Sequence, residues 1–191
     1  MKALSGVALL FAFLSPSAFA QWDLSSDNSS LNFVSVKSLK VGEVHSFQKL
    51  TGTINDSGQV KLNIDLSSVE TNIGIRNDRV KSMLFDTAKF ADAKLSGFVD
   101  VEKVASLNVG DTYTESVQFN LSLHGISNQV TSDVQVTKLS GERLLVTSLM
   151  PIVINASDYG LEKGIEQLRN IAALPSISNA VPVTFNLIFN Q

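Results

Sequence analysis

Alternation of apolar and polar side chains dominates the chain from Gln21 onward, with the period of two that a strand with one buried face requires. Leu62, Ile64 and Leu66 alternate with Asn63, Asp65 and Ser67. The stretch Val60 to Ser67 pairs back across the turn Asn55-Asp56-Ser57-Gly58 onto a strand read over Val44 to Asn55, whose bulk is Phe47 and Leu50. Leu31, Phe33, Val34 and Val36 make an earlier strand with apolar groups on both faces. Further on, Leu95, Gly97, Val99 and Val101 share one strand face, and Phe98 takes the other. The cleanest alternation is Val117 to His124, which sets Phe119, Leu121 and Leu123 on one side; Gly125 turns it, and Val130, Val134 and Val136 return. Leu144 to Ile154 carries Pro151, which cannot donate to a ladder, so a break, a bulge or an edge is expected there. Val183, Phe185, Leu187 and Phe189 form the last strand, with Pro182 at its start.

Two stretches change period. After Gly74, the residues Val80, Met83 and Leu84 fall at i, i+3 and i+4, while Arg76, Asp78, Arg79 and Lys81 point elsewhere. This predicts a short charged helix. Leu161, Ile165, Leu168 and Ala172 predict a second, with Ser157 or Asp158 as cap and Pro175 as stop. Gly164 in its interior costs about 1 kcal/mol against alanine, so packing must require it. Roughly eight antiparallel strands with two inserted helices and no βαβ alternation predict an all-β fold, either a sandwich or an up-and-down barrel. Eight strands close into a barrel that is filled by side chains or holds one small ligand. The shared apolar phase of Leu62, Ile64, Leu66, Leu95, Val99, Phe119, Leu121, Leu123, Phe185 and Leu187 places them inward.

The first 20 residues stand outside this pattern. Lys2 supplies a positive start, Ala3 to Leu14 is a nearly continuous apolar run, and Ala18-Phe19-Ala20 is an A-x-A cleavage pattern. Residues 1–20 are therefore expected to be a signal peptide cleaved after Ala20, leaving 21–191 as one exported domain. With no cysteine at the cleavage site, a lipid anchor is not expected. Fifteen basic residues, one of them Lys2, face eighteen acidic ones, which argues against a broad nucleic-acid or polybasic membrane surface. The absence of cysteine excludes a disulfide scaffold and thiol chemistry, so the core holds by burial alone.

Catalytic patterns are scarce. The two histidines, His45 and His124, lie far apart in sequence, and no H-E-x-x-H, G-x-S-x-G, P-loop or G-x-G-x-x-G occurs. No catalytic residue, metal ligand or catalytic cofactor is therefore expected. The cluster Arg76, Asp78, Arg79 and Lys81 reads either as a solvated helix face or as a polar rim at the mouth of a cavity.

Several blocks resemble the YceI-like family, exported lipocalin-like proteins that bind polyisoprenoid lipids. They are Ile64-Asp65-Leu66-Ser67-Ser68-Val69-Glu70-Thr71, Ile75-Arg76-Asn77-Asp78-Arg79, Met83-Leu84-Phe85, Leu121-Ser122-Leu123-His124-Gly125, Ser157-Asp158-Tyr159-Gly160 and Val181-Pro182-Val183. The chain departs from the family at Asn28-Ser29, where many members have His-Ser, and at Lys37, where many have histidine. It departs again at His45-Ser46-Phe47, in place of Gly-x-Phe, and at Ala156, in place of a basic residue. The resemblance implies an extended eight-stranded antiparallel lipocalin-like barrel holding an isoprenoid chain of quinone or polyprenyl type. Its cavity would be lined by the inward positions above together with Phe33, Phe47, Leu84 and Phe85, and its rim by Arg76, Asp78 and His124. The resemblance further implies a periplasmic protein for transport, storage or sequestration, exchanging lipid transiently with membranes, and a homodimer. Two rival readings stand beside it: an interaction module with a filled core, and an enzyme working on a lipid head group through Arg76, Asp78 or His124.

Overall fold

The structure, a computed structural model, describes residues 21–191; the expected signal peptide lies outside the described residues. Twelve strands form one wholly antiparallel sheet that closes on itself: β1 Trp22–Leu24, β2 Ser30–Lys37, β3 Val41–Phe47, β4 Leu50–Ile54, β5 Gln59–Asp65, β6 Val69–Glu70, β7 Asp92–Phe98, β8 Thr112–Leu123, β9 Ile126–Leu139, β10 Arg143–Ser148, β11 Ile152–Asn155 and β12 Ala180–Asn190. Strand β1 closes the ring, because it pairs with both β4 and β12. The pairs β1/β2, β3/β4, β5/β6 and β10/β11 each behave as one long strand broken in the middle. On one edge of β12, for example, β10 pairs with Arg143↔Asn190 to Thr147↔Asn186 and β11 continues with Ile152↔Val183. The architecture is thus an eight-stranded up-and-down barrel, with four of its strands interrupted.

The interruptions have local causes. The expected single strand from Val44 to Asn55 is in fact β3 and β4, parted at Gln48-Lys49. Both backbone N–H groups of that pair donate to Ser68 Oγ, at 3.1 and 3.0 Å, and Gln48 N also donates to the Ser68 carbonyl at 3.1 Å. Strand β5 stops at Asp65, whose carboxylate accepts from Ser67 N at 2.8 Å and starts a tight 3₁₀ turn. The break expected around Pro151 is present between β10 and β11. Val101 does not extend β7; it begins a helix, α2 (Val101–Ala105), which sequence patterning missed. Asp100 caps it, accepting from the N–H groups of Glu102 and Lys103 at 3.1 Å each.

The charged helix α1 spans Gly74–Arg79 and widens into a π-helical turn, Val80–Phe85. The last helix, α3, spans Glu162–Ile171. Ser157 and Asp158 do not cap it: they lie in a separate turn, Ala156–Tyr159, which Gly160 ends with a left-handed φ of 67°. Helices α1 and α3 sit over one end of the barrel, while α2 and the β4–β5 and β9–β10 turns lie at the other.

Gly164 is the contact between the two covering helices. A Cβ there would lie 2.6 Å from Met83 O and 2.7 Å from Leu84 Cα, both backbone atoms that cannot swing aside. Gly164→Ala should therefore destabilise the protein by roughly 1–3 kcal/mol despite alanine's better helix propensity, as overpacking outweighs it. A urea midpoint equal to or above wild type would contradict this.

Candidate functional site: an apolar cavity with a charged mouth

The barrel interior is not filled. A cavity of ≈ 580 Å³ runs inside it, well within the about 300–1,000 Å³ of small-molecule sites. The signature is clearest on β8. Thr114, Ser116 and Gln118 face solvent, whereas the inward Tyr113, Glu115, Val117 and Phe119 are only half-buried, because they border open space. All of the apolar positions expected inside line this cavity: Leu62, Ile64, Leu66, Leu95, Val99, Phe119, Leu121, Leu123, Phe185 and Leu187, with Phe33, Phe47, Leu84 and Phe85. Phe47 bridges two of the others, with ring centroids 5.3 Å from Phe33 and 5.9 Å from Phe85.

Of the three expected rim residues, only Arg76 lines the cavity. Asp78 is exposed on the far side of α1, 3.8 Å from Lys81. His124 is a turn residue: with φ 53° followed by Gly125 at 80°, it makes the tight turn between β8 and β9. Its ring packs on Phe90 at 4.4 Å, and Nδ1 lies 3.3 Å from the carbonyl of Tyr159, away from the cavity wall. The spacing within α1 explains the difference, since residues two apart on a helix face different directions.

The polar groups that do meet at the mouth come from β2, β3 and α1. Glu43 Oε2 accepts from Lys37 Nζ and from Arg76 Nη1, each at 2.8 Å. The Lys37 hydrogen bond foremost, with the Arg76 charge behind it, holds the Glu43 carboxyl below its ordinary value. Arg76 also donates from Nη2 to the carbonyl of Thr71. Beside it, buried His45 shares a 2.8 Å hydrogen bond between Nε2 and Ser35 Oγ. Its Nδ1, like Arg76 Nε, has no hydrogen-bond partner among the described residues. Deeper in the cavity, Tyr113 and Glu115 contribute two more unpartnered atoms, the phenol oxygen and Oε2. Burial, reinforced by Glu115 and Asp100, pushes the Tyr113 phenol up to about 12, so it is neutral.

Sequence reasoning missed Ser35, Glu43, His45, Tyr113 and Glu115 as inward positions. Continuing the β8 alternation back from Val117 would have found the last two. No comparable signal linked Glu43 to Arg76, because those two meet only across the fold.

Helix α1 is held in place by Asn77. Its buried Oδ1 accepts from Thr71 N at 2.8 Å and Thr71 Oγ1 at 2.5 Å, and its Nδ2 donates to Glu70 at 3.0 Å. Asn77 thus fixes the helix that aims Arg76 into the mouth.

An up-and-down antiparallel barrel with a largely apolar interior cavity and a charged mouth defines a lipocalin-like ligand-binding protein. The YceI-like domain family matches residues 22–189, and the chain belongs to that family. Among solved structures, it is similar to a polyisoprenoid-binding domain from Saccharophagus degradans implicated in plant cell wall breakdown. The identity is 42%, covering 89% of this chain and 98% of that one, with a TM-score of 0.87. Burkholderia cenocepacia BcnA shares the fold at 18% identity, 86% and 98% coverage and a TM-score of 0.63. The Campylobacter jejuni YCEI protein does so at 12% identity, 100% and 99% coverage and a TM-score of 0.51. No curated protein sequence matches the chain.

Two outcomes follow from the mouth. Asn77→Ala leaves the buried Thr71 N–H without its acceptor and should cost about 1–3 kcal/mol, measured by denaturant unfolding. Burial first, and the Arg76 charge second, hold the His45 imidazole below its ordinary value. The unfolded chain therefore takes up the His45 proton at a higher pH than the folded one. The stability linked to His45 should be fully present above about pH 6.5 and fall as pH drops toward the depressed folded value. His45→Gln should flatten that part of the pH–stability curve; an unchanged slope would remove His45 as its source.

Proposed function

We propose that this protein is an exported carrier that holds an isoprenoid chain, of quinone or polyprenyl type, inside its barrel. The observation that carries the reading is the ≈ 580 Å³ cavity, apolar over most of its wall, with Lys37, Glu43, His45 and Arg76 gathered at its mouth. Support comes from the 42%-identical relative, which is a polyisoprenoid-binding domain. A filled-core module would bury the inner face of β8, which instead borders open space. Of Arg76, Asp78 and His124, through which an enzyme would act, only Arg76 lines the cavity, so the Asp78 carboxylate and the His124 imidazole are not there to supply an acid or base.

The energetics suit exchange. Each buried CH₂ contributes roughly 0.8 kcal/mol, so one five-carbon unit contributes about 4 kcal/mol relative to water. A bilayer solvates the chain about as well, so the net preference for the cavity is small and lipid moves between protein and membrane. The mouth orients the head group: Arg76 Nε–H donates and His45 Nδ1 completes the contact, in whichever tautomer Ser35 sets. Export to the periplasm, with cleavage after Ala20, is supported by the apolar run Ala3 to Leu14 and the Ala18-Phe19-Ala20 pattern.

The test is organic extraction of the purified protein with mass spectrometry, alongside Phe119→Asp. Phe119 lines the cavity and is only half-buried, so the aspartate can be hydrated from the open space and the variant should fold. It should carry no isoprenoid. A folded variant with a full lipid complement, or a wild type that takes up no isoprenoid, would overturn the reading.

A further inference from the structure

Around the cavity mouth, three elements expose apolar side chains that the barrel does not need. Ile73 and Ile75 flank the start of α1 and Ile171 ends α3; all three line the mouth, yet each is about half-exposed or more. The third element is the β2–β3 turn, tied to the loop after α3 by a hydrogen bond from Ser38 N to Ser176 O of 3.0 Å. Its tip is Lys37-Ser38-Leu39-Lys40, closed by Lys40 N donating to Lys37 O at 3.3 Å. Ser38 and Leu39 both have positive φ, 53° and 63°. Such a turn favours Asn-Gly, and a leucine at its second position is strained. The β8–β9 turn of the same protein solves the problem the ordinary way, with Gly125 second. Leu39 is also 88% exposed, the highest of any large apolar residue described. A residue unfavourable in both backbone and solvation, standing beside the mouth, is the kind of outlier that marks function.

The charges around it have a direction. The charged residues lining the mouth are Lys37, Arg76 and Arg79 against Glu43 alone, and Lys40 adds another cation at the turn. The cationic excess is confined to that opening, since the surrounding helices and turns carry Glu70, Asp78, Asp86, Asp158, Glu162 and Glu166 against Lys81, Lys89, Lys163 and Arg169. The opposite end carries Asp56, Asp100, Glu102, Asp111 and Glu142 against Lys103, Lys138 and Arg143. The protein as a whole is acidic. An apolar rim studded with cations at one end of an acidic body matches the interface of an anionic bilayer. We propose that the mouth is a membrane-docking face, with Leu39 inserted among the acyl chains and Lys40 beside anionic head groups. The cavity then opens directly onto the lipid phase, and isoprenoid passes between bilayer and barrel without crossing water. This assigns the place of exchange for the carrier reading and rests on it only in that last step.

The test uses Leu39→Asn and Lys40→Glu, neither of which lines the cavity. Asparagine tolerates positive φ, so Leu39→Asn should fold at least as well as wild type. Unloaded wild-type protein should sediment with vesicles of phosphatidylethanolamine and phosphatidylglycerol, less with phosphatidylcholine alone, and less as salt rises. Leu39→Asn should weaken sedimentation roughly tenfold, the scale of one lost buried leucine, and Lys40→Glu should reduce the preference for phosphatidylglycerol. With a dansyl-labelled polyprenol, uptake from detergent micelles should be unchanged in both variants, while transfer from vesicles slows. Wild-type sedimentation or transfer by Leu39→Asn overturns the docking face. So does a wild-type dimer that Leu39→Asn converts to monomer, since the rim would then seat a second copy. Failure of every protein to take polyprenol from micelles overturns the carrier reading instead, and the sedimentation arm still decides docking.

Discussion

Closure of the ladder is the constraint from which the rest follows. Strand β12 is paired along both edges, with β10 and β11 on one side and β1 and β2 on the other, so the sheet has no long free edge there. The backbone groups of the wall satisfy one another around the ring. The end of the wall opposite the mouth is packed by Trp22, Ile54, Leu144 and Phe189, all buried, while the middle stays open. A barrel of eight strands is wide enough to hold a ligand or to be filled. Here Phe119 and Val117, half-buried against open space, take the first course.

The breaks in four strands serve the same geometry. Strands β8, β9 and β12 run unbroken from end to end, so each break is a local release of chain from the wall. At Gln48-Lys49 the chain leaves its ladder, and Ser68 takes over two of its N–H groups. The same corner carries the chain into β6 and α1, which Asn77 locks down over the opening. The mouth is therefore built from elements that the wall itself releases.

Electrostatics at the mouth is a balance around one carboxylate. Glu43 accepts from both Lys37 and Arg76, so two cations are held near an apolar opening at the expense of one anion. These pairs are partly exposed and individually worth little to stability. Their effect is positional: they keep Arg76 turned inward, beside a His45 whose burial holds its imidazole below the ordinary value.

Much was legible in the chain because strand phase is local. Every side chain placed inward by alternation, from Leu62 to Leu187, borders the cavity, since a period of two fixes the face whatever the strand pairs with. The tight spacing at Gly164 was equally legible as a glycine that packing must require. What failed depended on distance. Asp78 and His124 carry the right chemistry for a rim, but helix direction sends one outward and a turn fixes the other against Phe90. Glu43 and Arg76 are separated by 33 positions and meet only when β3 and α1 are folded together. The openness of the interior is likewise tertiary. Side-chain identities determine what the inner wall is made of, but the radius of the closed ring decides whether those side chains reach one another.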